Sequence, residues 1–225
     1  QDRPSLPAPH QVLGEFWKST ATVAVNSKRS LIYHAWVTLS ATLLGFVIGT
    51  LLGILLAVLI VHNDASDRSL MPWIIASQAV PILAIAPILV VVMYNVLTGD
   101  NLFAHMLGLS GDTAHLISKA LVSTSLSFFP VVVGMVKGFR SPEAIQLDLL
   151  NTYNASRPQA FWRLRLPIAV PYLFTSMKVA VAASLVGAIV GELPTGASAG
   201  IGARLLTGSY YGQTTQIWAA LLMGA

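Results

Sequence analysis

One uninterrupted apolar run, residues 39–61, constrains the fold of this chain more than any other feature of its sequence. The run is 23 residues long and contains no Asp, Glu, Lys or Arg. At a rise of about 1.5 Å per residue, a helix of that length crosses a hydrocarbon core of about 30 Å. Residues 69–97, 120–136 and 168–191 are further candidate spans. The sequence therefore predicts four complete membrane-spanning helices.

The composition agrees with a membrane protein. Hydrophobic residues make up 55% of the chain and charged residues only 10%, and the mean hydropathy is +0.70. A soluble domain has about 25% charged residues. Because apolar runs alternate with turn-rich loops, we predict an all-α integral membrane protein that crosses the bilayer several times.

The sequence lacks the patterns of metal, nucleotide and catalytic sites. It has no Cys, and its five His show no ligand spacing. A P-loop is absent, and no nucleophile, base and acid stand together. The net charge of +4 comes from Lys and Arg that lie beside the apolar runs and not among exposed aromatics. We expect no metal site, no catalytic residue, no cofactor in this chain and no nucleic-acid partner.

Lys and Arg in short loops predict the orientation in the membrane. Segment 137–167 carries five of them and should be cytoplasmic, whereas segment 98–115 carries none and segment 192–212 carries Arg204 alone. These two segments should lie on the opposite side. Alternation then places residues 62–68 in the cytoplasm, although their own charges do not favour either side.

Both ends are expected to be incomplete, because residue 1 is not Met and the last apolar run is too short to cross a bilayer. Residues 1–33 are interpreted as an extracytoplasmic lead-in, with a helix-like stretch after Pro7 and Pro9.

Glycines recur every four residues in the first span, at Gly45, Gly49 and Gly53. They share one helical face, where missing side chains let another helix approach closely. Packing within the chain is favoured over a dimer face.

Prolines punctuate the next predicted span, at Pro72, Pro81 and Pro87. Each removes a backbone hydrogen bond, so protein or water must lie beside the helix. Kinked helices commonly line transport pathways, but Pro is also frequent in membrane helices in general, and the sequence favours neither explanation. Gln78, Pro81 and Asn95 are the candidate pathway residues.

Two charged residues of the last predicted span are also pathway candidates. Lys178 lies within the apolar run, where an ionisable group is a functional candidate. It stands about two turns from a helix start near Pro171, so we favour the interpretation that its amine extends to the cytoplasmic surface. Glu192 closes the same helix and could face an exit vestibule or the membrane interface, and the sequence favours neither.

The charged segment 137–167 predicts two short helices joined by a tight turn. Ser141 is the expected cap of the first helix, and Ile145, Leu149 and Tyr153 form one apolar stripe on it. Asn154 should end this helix, because Asn tolerates the left-handed conformation.

Ser156 is the expected cap of the second helix, which presents Phe161, Trp162 and Leu166 as a new apolar face. Apolar groups this far from the bilayer predict docking into a groove of a partner protein.

The loop resembles that of the permease subunits of binding-protein-dependent ABC importers, which carry Glu-Ala-Ala-x-x-x-Gly followed by Leu-Pro. The matching positions are Asp148, Leu149, Leu150, Asn154, Ala155, Arg157, Leu166 and Pro167. Asp replaces Glu, Leu-Leu replaces Ala-Ala, and Asn replaces Gly. The turn is therefore expected to survive, while the larger leucines imply a less common fit to the ATPase or pairing with a different permease.

The resemblance extends over almost the whole chain and is closest to the nitrate, sulfonate and taurine group. Residues 6–13 resemble the segment after that group's first span, residues 45–60 its next span, and residues 81–92 its Pro-rich pathway helix. The resemblance implies one transmembrane permease domain over residues 1–225, of the type I kind with about six spans in the full chain. It also implies a bacterial inner membrane location.

The family implies several partners. These are cytoplasmic ATPase subunits that hold ATP and Mg, a second permease copy or paralogue, and a periplasmic substrate-binding protein. The permease itself would hydrolyse nothing, and residues 137–167 would transmit the closure of the ATPases. The solute would be a nitrate-, sulfonate- or taurine-like anion or, from the resemblance of residues 191–221, a pyrimidine or vitamin precursor.

Two other classes of protein fit the sequence less well. An ion-coupled secondary transporter needs intramembrane carboxylates or repeated halves, and neither is evident in the sequence. A membrane-embedded enzyme needs convergent polar groups, whereas Lys178 and Glu192 stand about 20 Å apart along one helix.

Overall fold

The computed structural model describes residues 6–25, 27, 29–99, 105–106, 108–193 and 199–225, and these form helices joined by turns. The helices before the 137–167 loop are α1 (Pro9–Trp17, extended by a π turn over Lys18–Thr22), α2 (Leu31–His62), α3 (Asp64–Ser77), α4 (Ile82–Thr98) and α5 (Gly111–Phe139). The later helices are α6 (Ala144–Thr152), α7 (Arg157–Glu192, with a π turn over Phe161–Arg165), α8 (Ile201–Tyr210) and α9 (Thr214–Gly224). The predicted all-α class is confirmed.

Three helices of the described residues, α2, α5 and α7, are long and apolar enough to cross a membrane. A fourth span exists only if α3 and α4 count as one broken span. The candidate span over residues 69–97 is therefore broken, because residues 78–81 interrupt the helix. Pro81 supplies the reason: it lacks an N–H, and its ring disfavours helical dihedrals in the residue before it. Pro72 and Pro87, by contrast, lie inside helices.

The other predicted spans are correct in place but too short. The helices extend about a turn or more beyond the apolar runs, to Leu31 in α2 and to Gly111 in α5. The predicted segment 192–212 contains helix α8, and parts of this segment, of segment 98–115 and of the lead-in lie outside the described residues.

The chain forms two compact units. Unit 1 comprises residues 1–45, 82–123 and 185–225, and unit 2 comprises residues 46–81 and 124–184. In unit 1, small apolar cores form around Val90 and Val122 and around Leu31 and Ile201. In unit 2, one larger core surrounds Phe139 and Val131.

Close helix packing explains the predicted glycine face. In unit 1, a Cβ on Gly45 or on Gly187 would lie within 3 Å of the buried Ser123, so α2 and α7 both approach α5 at this residue. In unit 2, Gly49 and Gly53 face α5 in the same way. The prediction of packing within the chain is confirmed.

Gly187→Ala is expected to destabilise the protein by about 1–3 kcal/mol. Its new Cβ would stand 2.7 Å from the Ser123 Cα and 3.0 Å from the Val122 carbonyl oxygen, both of them backbone atoms that cannot turn aside. Chemical denaturation in mixed micelles measures the effect. Gly14→Ala is the matched control, because nothing lies within 4 Å of its Cβ position, and it should raise stability slightly. Equal behaviour of the two variants would contradict the packing argument.

Candidate functional site

The 137–167 loop begins differently from the prediction. Ser141 does not cap the first helix, since its hydroxyl donates back to the Gly138 carbonyl at 2.8 Å and so closes the end of α5. Helix α6 begins at Ala144, with Glu143 as its N-cap residue. The Glu143 N–H donates to the Gln146 side chain at 3.1 Å. Pro142 explains the shift, because it disfavours helical dihedrals at Ser141.

The predicted turn at Asn154 is confirmed. Asn154 has φ of 53°, and it is the one non-glycine residue with a positive φ among those that the structure describes. The Ala155 N–H donates to the Leu150 carbonyl at 3.0 Å, and the Asn154 N–H donates to the Asn151 carbonyl at 2.9 Å. These bonds satisfy carbonyls that the end of α6 would otherwise leave without a donor.

The second half of the loop is not a separate short helix. Ser156 is the N-cap residue as predicted, and its N–H donates to the Gln159 side chain at 2.9 Å. The helix that starts there continues to Glu192, so Leu166 and Pro167 lie inside it. The π turn before Pro167 lets the helix continue, because a locally widened turn accommodates a residue that has no N–H to donate.

The apolar stripe of the loop is exposed, as predicted. Ile145 is 71%, Leu149 57% and Tyr153 77% exposed. Trp162 is also exposed, but Phe161 is buried, so the prediction that Phe161 shares this face is wrong. Its ring stands 4.7 Å from that of His62 and 5.2 Å from that of Phe139, and these contacts fix the loop to the core of unit 2.

The remaining predicted loop residues differ in exposure. Asp148, Asn154, Arg157 and Pro167 are exposed, while Ala155 and Leu166 are half-buried. A cleft of about 640 Å³ lies beneath the turn, between the loop and residues 61–64. The Arg140 guanidinium donates to the Asp67 carboxylate at 2.7 Å. The segment 62–68 and the loop therefore lie at one end of unit 2, as the alternation of spans requires.

Four of the predicted pathway residues lie at the surface of their units. Gln78 ends α3 and Pro81 follows it in unit 2, whereas Asn95 is on α4 in unit 1, so the prediction that Gln78 and Asn95 share a helix is wrong. Lys178 is exposed on α7.

The fifth, Glu192, is wholly buried in unit 1, which overturns both sequence interpretations of it. Its carboxylate accepts from the Gly202 N–H at 2.8 Å and lies 3.0 Å from the Thr38 hydroxyl. The Lys119 amine stands 3.7 Å away and is itself almost inaccessible. Burial without these partners would be very costly for a charged group.

The partners of Glu192 also hold the start of α8. The Lys119 amine donates to the Ala199 carbonyl at 2.9 Å, and the Gly200 N–H donates to the His34 imidazole at 2.9 Å. The Thr38 hydroxyl accepts from the Ile201 N–H at 2.8 Å. We call His34, Thr38, Lys119 and Glu192 the buried cluster. It satisfies N–H groups that the first turn of α8 leaves without partners inside the helix.

Lys119 is not among the residues predicted from the sequence, because the predicted span begins at residue 120 and leaves Lys119 outside it. Leu116 and Ile117 precede it in α5 and are half-buried, so the apolar character before Lys119 was the available signal.

Residues 49–225 match the family described as binding-protein-dependent transport system inner membrane component. The chain is 31% identical over 198 residues to the formylaminopyrimidine transport permease protein ThiX of Halalkalibacterium halodurans, covering 88% of this chain and 68% of that protein. It is 34% identical over 200 residues to the riboflavin transport system permease protein RibX of Chloroflexus aurantiacus, covering 89% and 65%. A putative aliphatic sulfonates transport permease protein, SsuC of Bacillus subtilis, is 23% identical over 195 residues, covering 87% and 63%.

The described helices and these matches define the class of protein. It is an all-α permease that crosses the inner membrane several times. The chain belongs to the family of binding-protein-dependent transport system inner membrane components, the permeases of ABC importers. It spans about two thirds of the length of the curated relatives named above.

Proposed function

We propose that this chain forms part of the translocation pathway of an ABC importer and that its 137–167 loop docks onto a cytoplasmic ATPase subunit. ATP and Mg would be bound by the ATPase, and this chain would hydrolyse nothing. A second permease, identical or different, would complete the pathway, and a periplasmic binding protein would deliver the solute.

The exposed stripe of α6 carries this proposal. Ile145, Leu149 and Tyr153 present apolar surface that the described part of the chain does not cover. The anchored Phe161 and the Asn154 turn hold this stripe in a fixed position, as a helix that inserts into a groove requires. Asp148, Arg157 and Ala155 flank the stripe and the turn as further contacts, and Leu166 and Pro167 follow within α7.

Gln78, Pro81, Asn95 and Lys178 remain the proposed pathway residues. The break at residues 78–81 supports this role, because interrupted helices in membranes occur where protein or water satisfies the backbone. Glu192 is instead proposed as a structural residue, since its carboxylate is already occupied by Thr38, Lys119 and Gly202.

The proposed solute is a small polar molecule. Relatives that transport formylaminopyrimidine, riboflavin and aliphatic sulfonates support either a vitamin precursor or a sulfonate-like anion.

The test is ATPase activity of the complex that copurifies with this permease in lipid, with and without a candidate binding protein and its ligand. We expect an ATPase to copurify and the liganded binding protein to stimulate it. If no ATPase copurifies, the docking role of the loop is wrong and an ion-coupled carrier becomes the better explanation.

A further inference from the structure

A polar cleft of about 530 Å³ in unit 1 has no role in the function proposed above. It is lined by α1 and its π turn, by the segment before α2, and by α8 and α9. Its volume lies within the range of small-molecule sites, about 300–1,000 Å³. The cleft borders segment 192–212, which the charge distribution predicts to be extracytoplasmic.

Cationic side chains dominate this cleft. Lys18, Arg29 and Arg204 line it together with one carboxylate, that of Glu15. None of the three cations forms an ion pair with a carboxylate of the described residues. We call this site the cation cleft.

Arg204 is the most informative of the three. It is half-buried, and its Nε is shielded from solvent yet has no hydrogen-bond partner among the described residues. A buried donor without an acceptor is destabilising, and more so when it is charged. The contrast with Lys119 is direct, because that buried cation has both a carboxylate and a carbonyl beside it.

A ligand with two or more anionic oxygens would supply the counter-charge that the three cations of the cleft lack. A guanidinium presents its N–H groups as a planar fork that matches a carboxylate, sulfonate or phosphate. Lys18 and Arg29 would add charge, and the side chains of Gln213 and Gln216, which also line the cleft, offer amide N–H donors.

We propose that the cation cleft is a binding site for an oxyanion, with Arg204 as its central ligand. The oxyanion is carried by a soluble solute or by the phosphate of a lipid headgroup. That a soluble oxyanion is the imported solute rests on the proposed function.

Equilibrium binding of radiolabelled inorganic sulfate tests the site on the full-length permease in phosphatidylcholine nanodiscs. We expect saturable binding that Arg204→Ala weakens by about tenfold or more. Arg204→Lys should be intermediate, since it keeps the charge but loses the fork. Arg29→Ala should also weaken binding, and because Arg29 is exposed, this variant is not expected to disturb folding. Arg68→Ala, which removes an exposed cation outside the cleft, should bind sulfate normally.

A second arm separates the two sources of the oxyanion. The permease is also assayed in nanodiscs with equal amounts of phosphatidylcholine and phosphatidylglycerol. If a lipid headgroup occupies the cleft, phosphatidylglycerol displaces sulfate from it. If the ligand is soluble, sulfate binding is unchanged. Either result supports the site. Equal sulfate binding by wild type and Arg204→Ala overturns it. So does absence of sulfate binding together with equal retention of phosphatidylglycerol by both proteins.

The permease is assayed both alone and with its ATPase. Failure of the ATPase to copurify would overturn the proposed function. The sulfate measurement on the permease alone would still show whether the cation cleft binds an oxyanion.

Discussion

Glu192→Leu should lower the free energy of unfolding by about 3–5 kcal/mol, the cost of leaving a buried cation without its counter-charge. The substitution removes the carboxylate that faces Lys119 at 3.7 Å and the acceptor for the Gly202 N–H. Chemical denaturation in mixed micelles measures the loss. Asp148→Ala, at an exposed carboxylate, should stay within about 0.5 kcal/mol of wild type.

A double variant separates charge from shape at this site. Lys119→Met with Glu192→Leu replaces both members of the pair by apolar side chains of similar size, so no charge is left buried. Most of the stability lost in the single variant should return, because a buried ion pair is often no better than well-packed apolar groups. A double variant as unstable as Glu192→Leu alone would show that the hydrogen bonds to α8, and not the ion pair, dominate the cluster.

The sequence predicted those parts of the fold that depend on residues close together in the chain. A helix that crosses a bilayer needs about 20 apolar residues, so the hydropathy along the chain was enough to predict α2, α5 and α7. The Asn154 turn and the Ser156 cap were also predictable, because a left-handed residue and an N-cap depend on a few neighbouring backbone groups.

Contacts between distant parts of the chain were not predictable in this way. Lys119 and Glu192 are 73 positions apart, and each stands at the end of an apolar run, so no local signal in the sequence indicates that their side chains meet. Phe161 shows the same limit: the sequence analysis grouped it with Trp162 and Leu166 in one exposed apolar face, but its ring packs against Phe139. A hydropathy pattern states that a residue is apolar, whereas its burial depends on which element packs beside it.

The buried cluster bears on the alternative that this chain is an ion-coupled carrier. The sequence argued against an ion-coupled carrier because no carboxylate lay clearly within a span, yet Glu192 is buried at the end of α7. Its oxygens contact Thr38, Lys119 and the Gly202 N–H, which together position the first turn of α8. Since these partners account for the burial of the charge, the carboxylate needs no transported ion to explain it.

Asn154→Val should weaken the association with the ATPase by about tenfold or more without changing membrane insertion. A β-branched residue at φ of 53° is strained by about 1–3 kcal/mol, and about 1.4 kcal/mol already corresponds to a tenfold change in an equilibrium constant. The strain is relieved if the turn opens, which moves the Leu149 and Tyr153 stripe away from the geometry that a partner groove accepts. The yield of copurified ATPase and its activity with a liganded binding protein give the readout, and the yield in the membrane fraction reports insertion.

Asn154→Gly is the matched control for this turn. Glycine adopts positive φ without steric cost, so the turn and the copurified ATPase should both persist although the side chain is lost. If Gly and Val impair association equally, the Asn154 side chain itself makes the contact. If Val leaves copurification unchanged, the turn does not position the docking surface, and the proposed role of the 137–167 loop fails at this point.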